Sequence, residues 1–178
     1  MKPLLSHQQL SITIERLACQ LLENHGDFSD SVLIGMQPRG IFLSDRIHER
    51  LVRALPGKSI AYGKLDITFY RDDFKTSAED LPVANETAIP FSLADKKIIL
   101  VDDVLFTGRT IRAGLDALLD FGRPADVELL VLVDRRFSRE LPIQPDYVGM
   151  SVDTVAEQMV KVVWSPKDQK NEVILIEA

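Results

Sequence analysis

At 178 residues, with 46% hydrophobic and 27% charged side chains, the chain has the length and balance of one globular domain that buries its own core. A net charge of −6 excludes a protein that coats nucleic acid through a broad cationic surface. The single cysteine, Cys19, excludes an internal disulfide, no Cys/His spacing suggests zinc, and no apolar run approaches the ~20 residues of a membrane span.

The first residues meet His7, Gln8 and Glu15 too early for the apolar core of a secretion signal, so a cytoplasmic location with no membrane contact is expected. The sequon Asn85-Glu86-Thr87 is then read as chance. Ser6 and Gln9 have the spacing of a capping box, and Leu10, Ile14, Leu17, Ala18 and Leu21 recur at helical intervals. A helix over 7–24 follows, with Cys19 expected on its apolar side as a small buried hydrophobe. Residues 31–36 are a short apolar run of strand length. Gln37-Pro38-Arg39-Gly40 is a tight polar turn, and Ile41, Phe42, Ile47, Leu51 and Val52 mark a helix that ends before Pro56-Gly57.

Residues 60–69 look extended but alternate imperfectly, and 70–90 are polar and irregular, long enough to be a lid or binding loop. A fully apolar strand over 96–103 ends in Asp102 and Asp103. The next helix carries Ile111, Leu115, Leu118 and Leu119 on one face and is stopped by Gly122 and Pro124; residues 127–134 are another buried strand. Continuous apolar strands alternating with helices predict an α/β fold: a doubly wound, mostly parallel sheet flanked by helices, in a single domain over 1–178. A small antiparallel extension is expected from 60–95 and the C-terminal tail. Ligands in such sheets lie beyond the carboxyl ends of the strands, which singles out the turns 37–40, 102–110 and 134–139.

The stretch Ile98–Thr110 carries the strongest chemical signal. Ile98 to Val101 bury a central strand, and Asp102 and Asp103 follow where side chains meet ligand. Thr107, Gly108 and Thr110 make a small hydroxyl-rich turn leading into a helix. Backbone N–H groups at a helix start bind a phosphate monoester, and glycine lets the backbone come close. Two carboxylates would repel that phosphate but suit the vicinal hydroxyls of a sugar. Together they read as a cradle for ribose 5-phosphate. An Asp-Asp pair alone is as often a helix cap; its union with the strand, the turn and the helix is what makes the pattern specific.

This stretch resembles the thirteen-residue diphosphoribose signature of type I phosphoribosyltransferases. Over about residues 8–150 the chain is similar to the family of bifunctional pyrimidine-operon attenuators and uracil phosphoribosyltransferases. The matching segments are Ile34-Gly35 with Arg39-Gly40, Asp66-Ile67-Thr68 with Tyr70-Arg71-Asp72-Asp73, VDDVLFTGRTIRAGLDAL, Gly122-Arg123-Pro124, and Val133-Asp134-Arg135 with Arg139-Glu140-Leu141-Pro142-Ile143. The resemblance implies the reaction of uracil with phosphoribosyl diphosphate to give UMP and diphosphate, with Mg²⁺ held through the ligand and by no direct protein donor. A purine base remains the alternative substrate.

Carried over by position, Asp102, Asp103 and Arg71 are the catalytic residues. Phosphoribosyl diphosphate is held by Arg39, Gly40, Asp102, Asp103, Val104, Leu105, Phe106, Thr107, Gly108, Arg109 and Thr110, and the base lies near Val133, Asp134, Arg135 and Arg136. The resemblance also implies a homo-oligomer, dimer or tetramer, and UMP-dependent binding of pyrimidine-operon leader RNA. Here the chain departs from the family. Glu15, Cys19 and Asn24 stand on the first helix where polar or basic groups are expected, and the turn Asp134–Arg139 is one residue longer and lacks a histidine. A carboxylate facing a phosphodiester backbone opposes binding. A regulator with vestigial transferase activity is the alternative reading.

Overall fold

The computed structural model describes residues 1–72, 84–155, 157–165 and 170–177. Its centre is a five-stranded, wholly parallel sheet in the order β3-β2-β4-β5-β6. The strands are β2 (Ser31–Gln37), β3 (Ala61–Asp66), β4 (Lys97–Leu105), β5 (Asp126–Arg136) and β6 (Tyr147–Asp153). Every residue of β2 and Ile98–Val101 of β4 are buried, as unbroken apolar runs covered on both faces must be.

Neighbouring residues of each strand serve opposite cores. Leu33, Ile99 and Leu130 pack with helices α1 (His7–His25) and α2 (Gly40–Ala54) on one face. Ile34, Leu100 and Val131 pack with α3 (Arg109–Leu119) on the other. Each such Leu or Ile stabilises the fold by roughly 1.5–3 kcal/mol relative to leaving it exposed. The Ser6/Gln9 capping box at the start of α1 is formed. Among the described residues no helix is long and apolar enough to cross a membrane.

The antiparallel extension differs from expectation. The strand within 60–69 is β3, an edge strand pairing parallel with β2 from Val32–Ala61 to Gln37–Asp66; only a bridge between Lys64 and Ala88 is antiparallel. It joins the main sheet because both its faces meet a core: Tyr62 packs against the core of α1 and α2, and Leu65 lies in the core of α3. The small sheet instead takes β1 (Lys2–Leu5) from the amino-terminal segment, with β7 (Met159–Val163) and β8 (Glu172–Ile176), in the order β1-β8-β7.

Three side-chain assignments also change. In α2 the buried residues are Leu43, Ser44, Ile47 and Leu51, while Phe42 and Val52 are exposed. In α3, Ala113, Gly114 and Ala117 share the buried face with Ile111 and Leu118, and Leu115 and Leu119 point outward. Small residues win those positions because α3 lies close to the sheet: a Cβ on Gly114 would fall 2.5 Å from the Met36 sulfur. Cys19 is exposed, since Ala18 and Leu17 occupy the core stripe of α1 and the next residue turns away. The middle of the expected lid, 73–83, lies outside the described residues.

Candidate active site

The strand order places β3 on one side of β2 and β4 on the other, so the connections leaving the carboxyl ends of β2 and β4 diverge and open a crevice. Gln37–Gly40 leaves β2 there, with a cis peptide bond before Pro38. Gly40 opens α2 against β4 so closely that a Cβ would lie 2.4 Å from the Val101 carbonyl oxygen and 3.0 Å from the Asp102 Cα. Only glycine permits that approach.

From this turn Arg39 donates Nε–H to Oδ2 of Asp103 at 2.9 Å, and its Nη2 donates to the carbonyl of Val162 on β7. Asp102 accepts the Asp103 backbone N–H on Oδ1 at 2.8 Å. The two acids lie in β4 as the sequence suggested, but not as its last residues: β4 runs on to Leu105 because Val104 and Leu105 pair with Val133 and Asp134. Both carboxylates are buried. Loss of hydration, then the charge of Asp103, pushes the Asp102 carboxyl well above its ordinary value, with Arg39 and Arg71 pulling the other way. Burial also raises Asp103, against the opposing pull of Arg39.

After Leu105 the chain makes the turn Phe106–Gly108 and enters α3. Gly108 takes the left-handed conformation at φ 94° and caps the helix through its carbonyl, which accepts Arg112 N–H at 2.9 Å. Thr107 accepts the Arg109 N–H on its hydroxyl at 3.3 Å. A cleft of about 270 Å³ lies over this turn, lined by Val104–Ile111 together with Arg71 and Asp72. Thus the structure brings Arg71 and the turn Phe106–Gly108 to one cleft. The Arg109 side chain is otherwise engaged: it pairs with Asp72 at 2.7 Å and Glu140 at 2.6 Å, and Arg112 also meets Asp72 at 3.0 Å.

The four residues expected near the base end β5. Val133 is fully buried, Asp134 is paired with Arg139, and Arg136 meets Asp153 at 2.7 Å. Arg135 is buried, with its guanidinium 3.8 Å from the centre of the Phe106 ring. It donates to the Thr154 hydroxyl at 3.1 Å and the Gln158 carbonyl at 2.7 Å. Burial lowers its pKa. Each of the three polar side chains is therefore engaged by protein. Beside them two cavities of about 400 and 410 Å³ meet at Phe137, an exposed aromatic at φ 65°.

Sequence reasoning missed Phe137, Thr154 and Val155 as walls of the larger cavity. An aromatic inside a polar turn was the one available signal for Phe137; Thr154 and Val155 had none. It also undervalued Arg139, which donates to the carbonyls of Arg135, Leu105, Phe106 and Ile143 and pairs with Asp134. On α1, Glu15 is paired with Arg50 at 3.0 Å, Asn24 donates to the Tyr147 hydroxyl at 2.9 Å, and Arg16 is spent on the carbonyls of Val148 and Gly149.

Comparison with known proteins agrees with this geometry. Residues 1–171 match the model of the phosphoribosyl transferase domain family. A Bifunctional protein PyrR of Desulfosudis oleivorans is 48% identical over 173 residues, covering 97% of this chain and 94% of that one. The Bifunctional protein PyrR of Bacillus subtilis is 41% identical over 175 residues, covering 98% and 96%. Among solved structures, a hypoxanthine phosphoribosyltransferase from Staphylococcus aureus superimposes with a TM-score of 0.65 at 18% identity, covering 86% of this chain and 78% of that one, which speaks to the fold alone.

Proposed function

The chain belongs to the phosphoribosyl transferase domain family and, within it, to the bifunctional PyrR proteins, and from that premise we propose that it joins uracil to 5-phosphoribosyl diphosphate, giving UMP and diphosphate. The observation that carries this reading is the continuity of Asp102 and Asp103, buried in β4, with the turn Phe106–Gly108 that starts α3 and lines, with Arg71, the cleft that begins at Val104.

The ribose hydroxyls donate to Asp102 and Asp103, and the 5-phosphate is received by the backbone N–H groups of Thr107–Thr110 at the positive end of α3. The diphosphate lies toward Arg39 and Gly40, with Arg71 above the same cleft. As the bond from C1 to the diphosphate oxygen breaks and the bond to the uracil nitrogen forms, positive charge develops on the ribose ring. Buried carboxylates fixed beneath it stabilise that charge, and the arginines stabilise the leaving group. Holding both reactants in line supplies much of the remaining rate.

Mg²⁺ would be held through the oxygens of the diphosphate and its own waters, with no direct protein donor, since it dehydrates reluctantly. When bound, it neutralises charge on the leaving diphosphate. The base occupies the space at the ends of β5 and β6, reached by the backbone of Val133–Arg136.

Turnover with uracil, hypoxanthine, guanine and orotate side by side tests the reaction. UMP from uracil alone is expected; a purine nucleotide as the main product would overturn the reading. The relatives' bifunctional character supports a second activity, binding of operon leader RNA in the presence of UMP, although Glu15 and Asn24 are committed to Arg50 and Tyr147. A gel-shift assay with and without UMP decides it, and no UMP-dependent shift removes it. We read the chain further as one domain, cytoplasmic and self-associating; light scattering of the purified protein checks the last point.

A further inference from the structure

Arg135 presents an inconsistency with direct contact to the base. The cavity of about 410 Å³ at the end of β5 is walled by Phe106, Thr107, Phe137, Thr154 and Val155, and Arg135 does not line it. Yet Arg135 touches two of those walls. Its guanidinium lies flat enough over Phe106 to sit 3.8 Å from the ring centre, and its Nε–H donates to the Thr154 hydroxyl at 3.1 Å. The Nη2 group reaches on to the Gln158 carbonyl at 2.7 Å, in the turn before β7. The side chain is buried, and its Nε and Nη2 groups are both committed to protein oxygens.

Phe106 and Thr154 come from different parts of the chain. Phe106 begins the phosphate turn after β4, and Thr154 follows β6. Pairing within the sheet ends at Leu105–Asp134 on one side of β5 and at Arg136–Asp153 on the other. Beyond those pairs, the distance between the two turns depends on side chains. Arg139 holds the inner end of the phosphate turn through the carbonyls of Leu105 and Phe106, but it does not reach the turn after β6. Among the described residues Arg135 is the side chain that spans both. A planar guanidinium suits this task, since it stacks on an aromatic face and donates in two directions from one rigid plane.

We propose that Arg135 is a positioning residue that fixes Phe106 and Thr154 as facing walls of the cavity that takes the base, without touching the base. This rests on the function proposed above and adds a residue that sets how well the base is held. Loss of Arg135 then weakens the base and leaves the phosphoribosyl end of the cleft in place, because Gly108, Thr107 and the two aspartates are held by other groups.

The test compares Arg135→Lys, Arg135→Ala and Phe106→Leu with the unaltered protein. Lysine keeps the charge but neither stacks as a plane nor bridges Thr154 and Gln158. We expect KM for uracil to rise about tenfold, the scale of one lost charge-assisted contact, with KM for phosphoribosyl diphosphate within twofold. Millimolar guanidinium restores Arg135→Ala toward the unaltered KM, while sodium at equal ionic strength does not. Arg135→Lys combined with Phe106→Leu adds little to either change alone, since both act on one wall.

Unchanged uracil KM in Arg135→Lys overturns the proposal, as does a parallel rise in both KM values, which marks general loosening. An altered preference among uracil, hypoxanthine and orotate also overturns it, because that marks direct contact with the base. Hydrogen exchange keeps the two ideas separate. Arg135→Lys must speed exchange at Phe106, Val155 and Gln158 while leaving Thr107 and Gly108 protected, whichever base the protein uses, and equal protection at Phe106, Val155 and Gln158 refutes the positioning role even if uracil turnover is absent.

Discussion

The Nε–H of Arg39 points to Oδ2 of Asp103 across 2.9 Å, joining the turn after β2 to the strand beside it at the floor of the crevice. One partner is half exposed and the other buried, so the arginine brings to the surface a charge that the acid would otherwise meet alone. Asp103→Asn keeps an oxygen in place for Arg39 but removes the negative charge beneath the ribose. We expect kcat/KM to fall by roughly 10²-fold, in the range of removing one preorganised electrostatic contact. Steady-state UMP formation measures it; turnover within threefold of the unaltered enzyme would sink the role assigned to this carboxylate.

Asp102 gives a prediction on stability with a definite pH sign. Its pKa is raised in the folded protein, first by burial and then by Asp103, so folding favours the protonated form. That contribution is fully present below the ordinary pKa of an aspartate and is lost as pH rises through the higher folded value. Above the ordinary pKa of an aspartate the buried side chain therefore costs stability, as strained active sites often do. Asp102→Asn should raise the melting temperature at pH 8 and give a shrinking advantage toward pH 4, read by thermal unfolding across that range. A constant difference at all pH values would contradict it.

Gly40→Ala places a methyl group 2.4 Å from the Val101 carbonyl oxygen, where backbone on both sides leaves no flexible neighbour to yield. Overpacking of this kind costs about 1–3 kcal/mol. Urea unfolding should show the midpoint move down with its slope unchanged, and transferase activity should fall more steeply than stability because Arg39 is displaced with the turn.

At the opposite end of the sheet His25 is a buried clasp. Its Nδ1 lies 2.8 Å from the Ser31 hydroxyl, and its Nε2 lies 3.0 Å from Glu128 and 3.1 Å from the Tyr147 hydroxyl. These groups tie the end of α1 to the starts of β2, β5 and β6. His25→Leu strands several of them without partners, and a loss of about 2 kcal/mol in urea unfolding is expected. UMP formation at 25 °C should stay within twofold, since the clasp lies away from the cleft.

The Arg109–Asp72 and Arg112–Asp72 pairs lie between partly exposed side chains. Exposed pairs contribute about 0–1 kcal/mol. Asp72→Asn should accordingly leave the urea midpoint nearly unchanged while making KM for phosphoribosyl diphosphate less sensitive to salt, because Arg109 then has one competing carboxylate, Glu140, in place of two. A salt series from 50 to 300 mM on both proteins, a range set by screening lengths of about 6–14 Å, reads the difference.

The parallel sheet was legible because Ser31–Gln37 and Ile98–Val101 are unbroken apolar runs, and the cradle was legible because Asp102, Asp103, Thr107 and Gly108 follow one another in the chain. The sequence was poorer wherever small residues do the packing. Ala113, Gly114 and Ala117 carry α3 against the sheet, yet Leu115 and Leu119 look more apolar and point outward. Nor does a linear pattern show where a strand ends when pairing continues through polar residues: β4 and β5 run beyond the expected limits, to Leu105 and Arg136, and draw Asp102 and Asp103 into the sheet. The commitments of Arg135, Arg136 and Arg139 could not be read either, since their partners Thr154, Gln158 and Asp153 lie 17 to 23 residues from the arginines they serve or, for Phe106, in a different strand's exit.

Arg139 knots the exit of β4 to the exit of β5 through four carbonyls and one carboxylate. The two halves of the crevice thus share a hinge pin. On the function proposed above, binding of either reactant against this shared pin should lower the ordering cost of binding the other. By thermodynamic reciprocity, any such tightening must be equal in both directions.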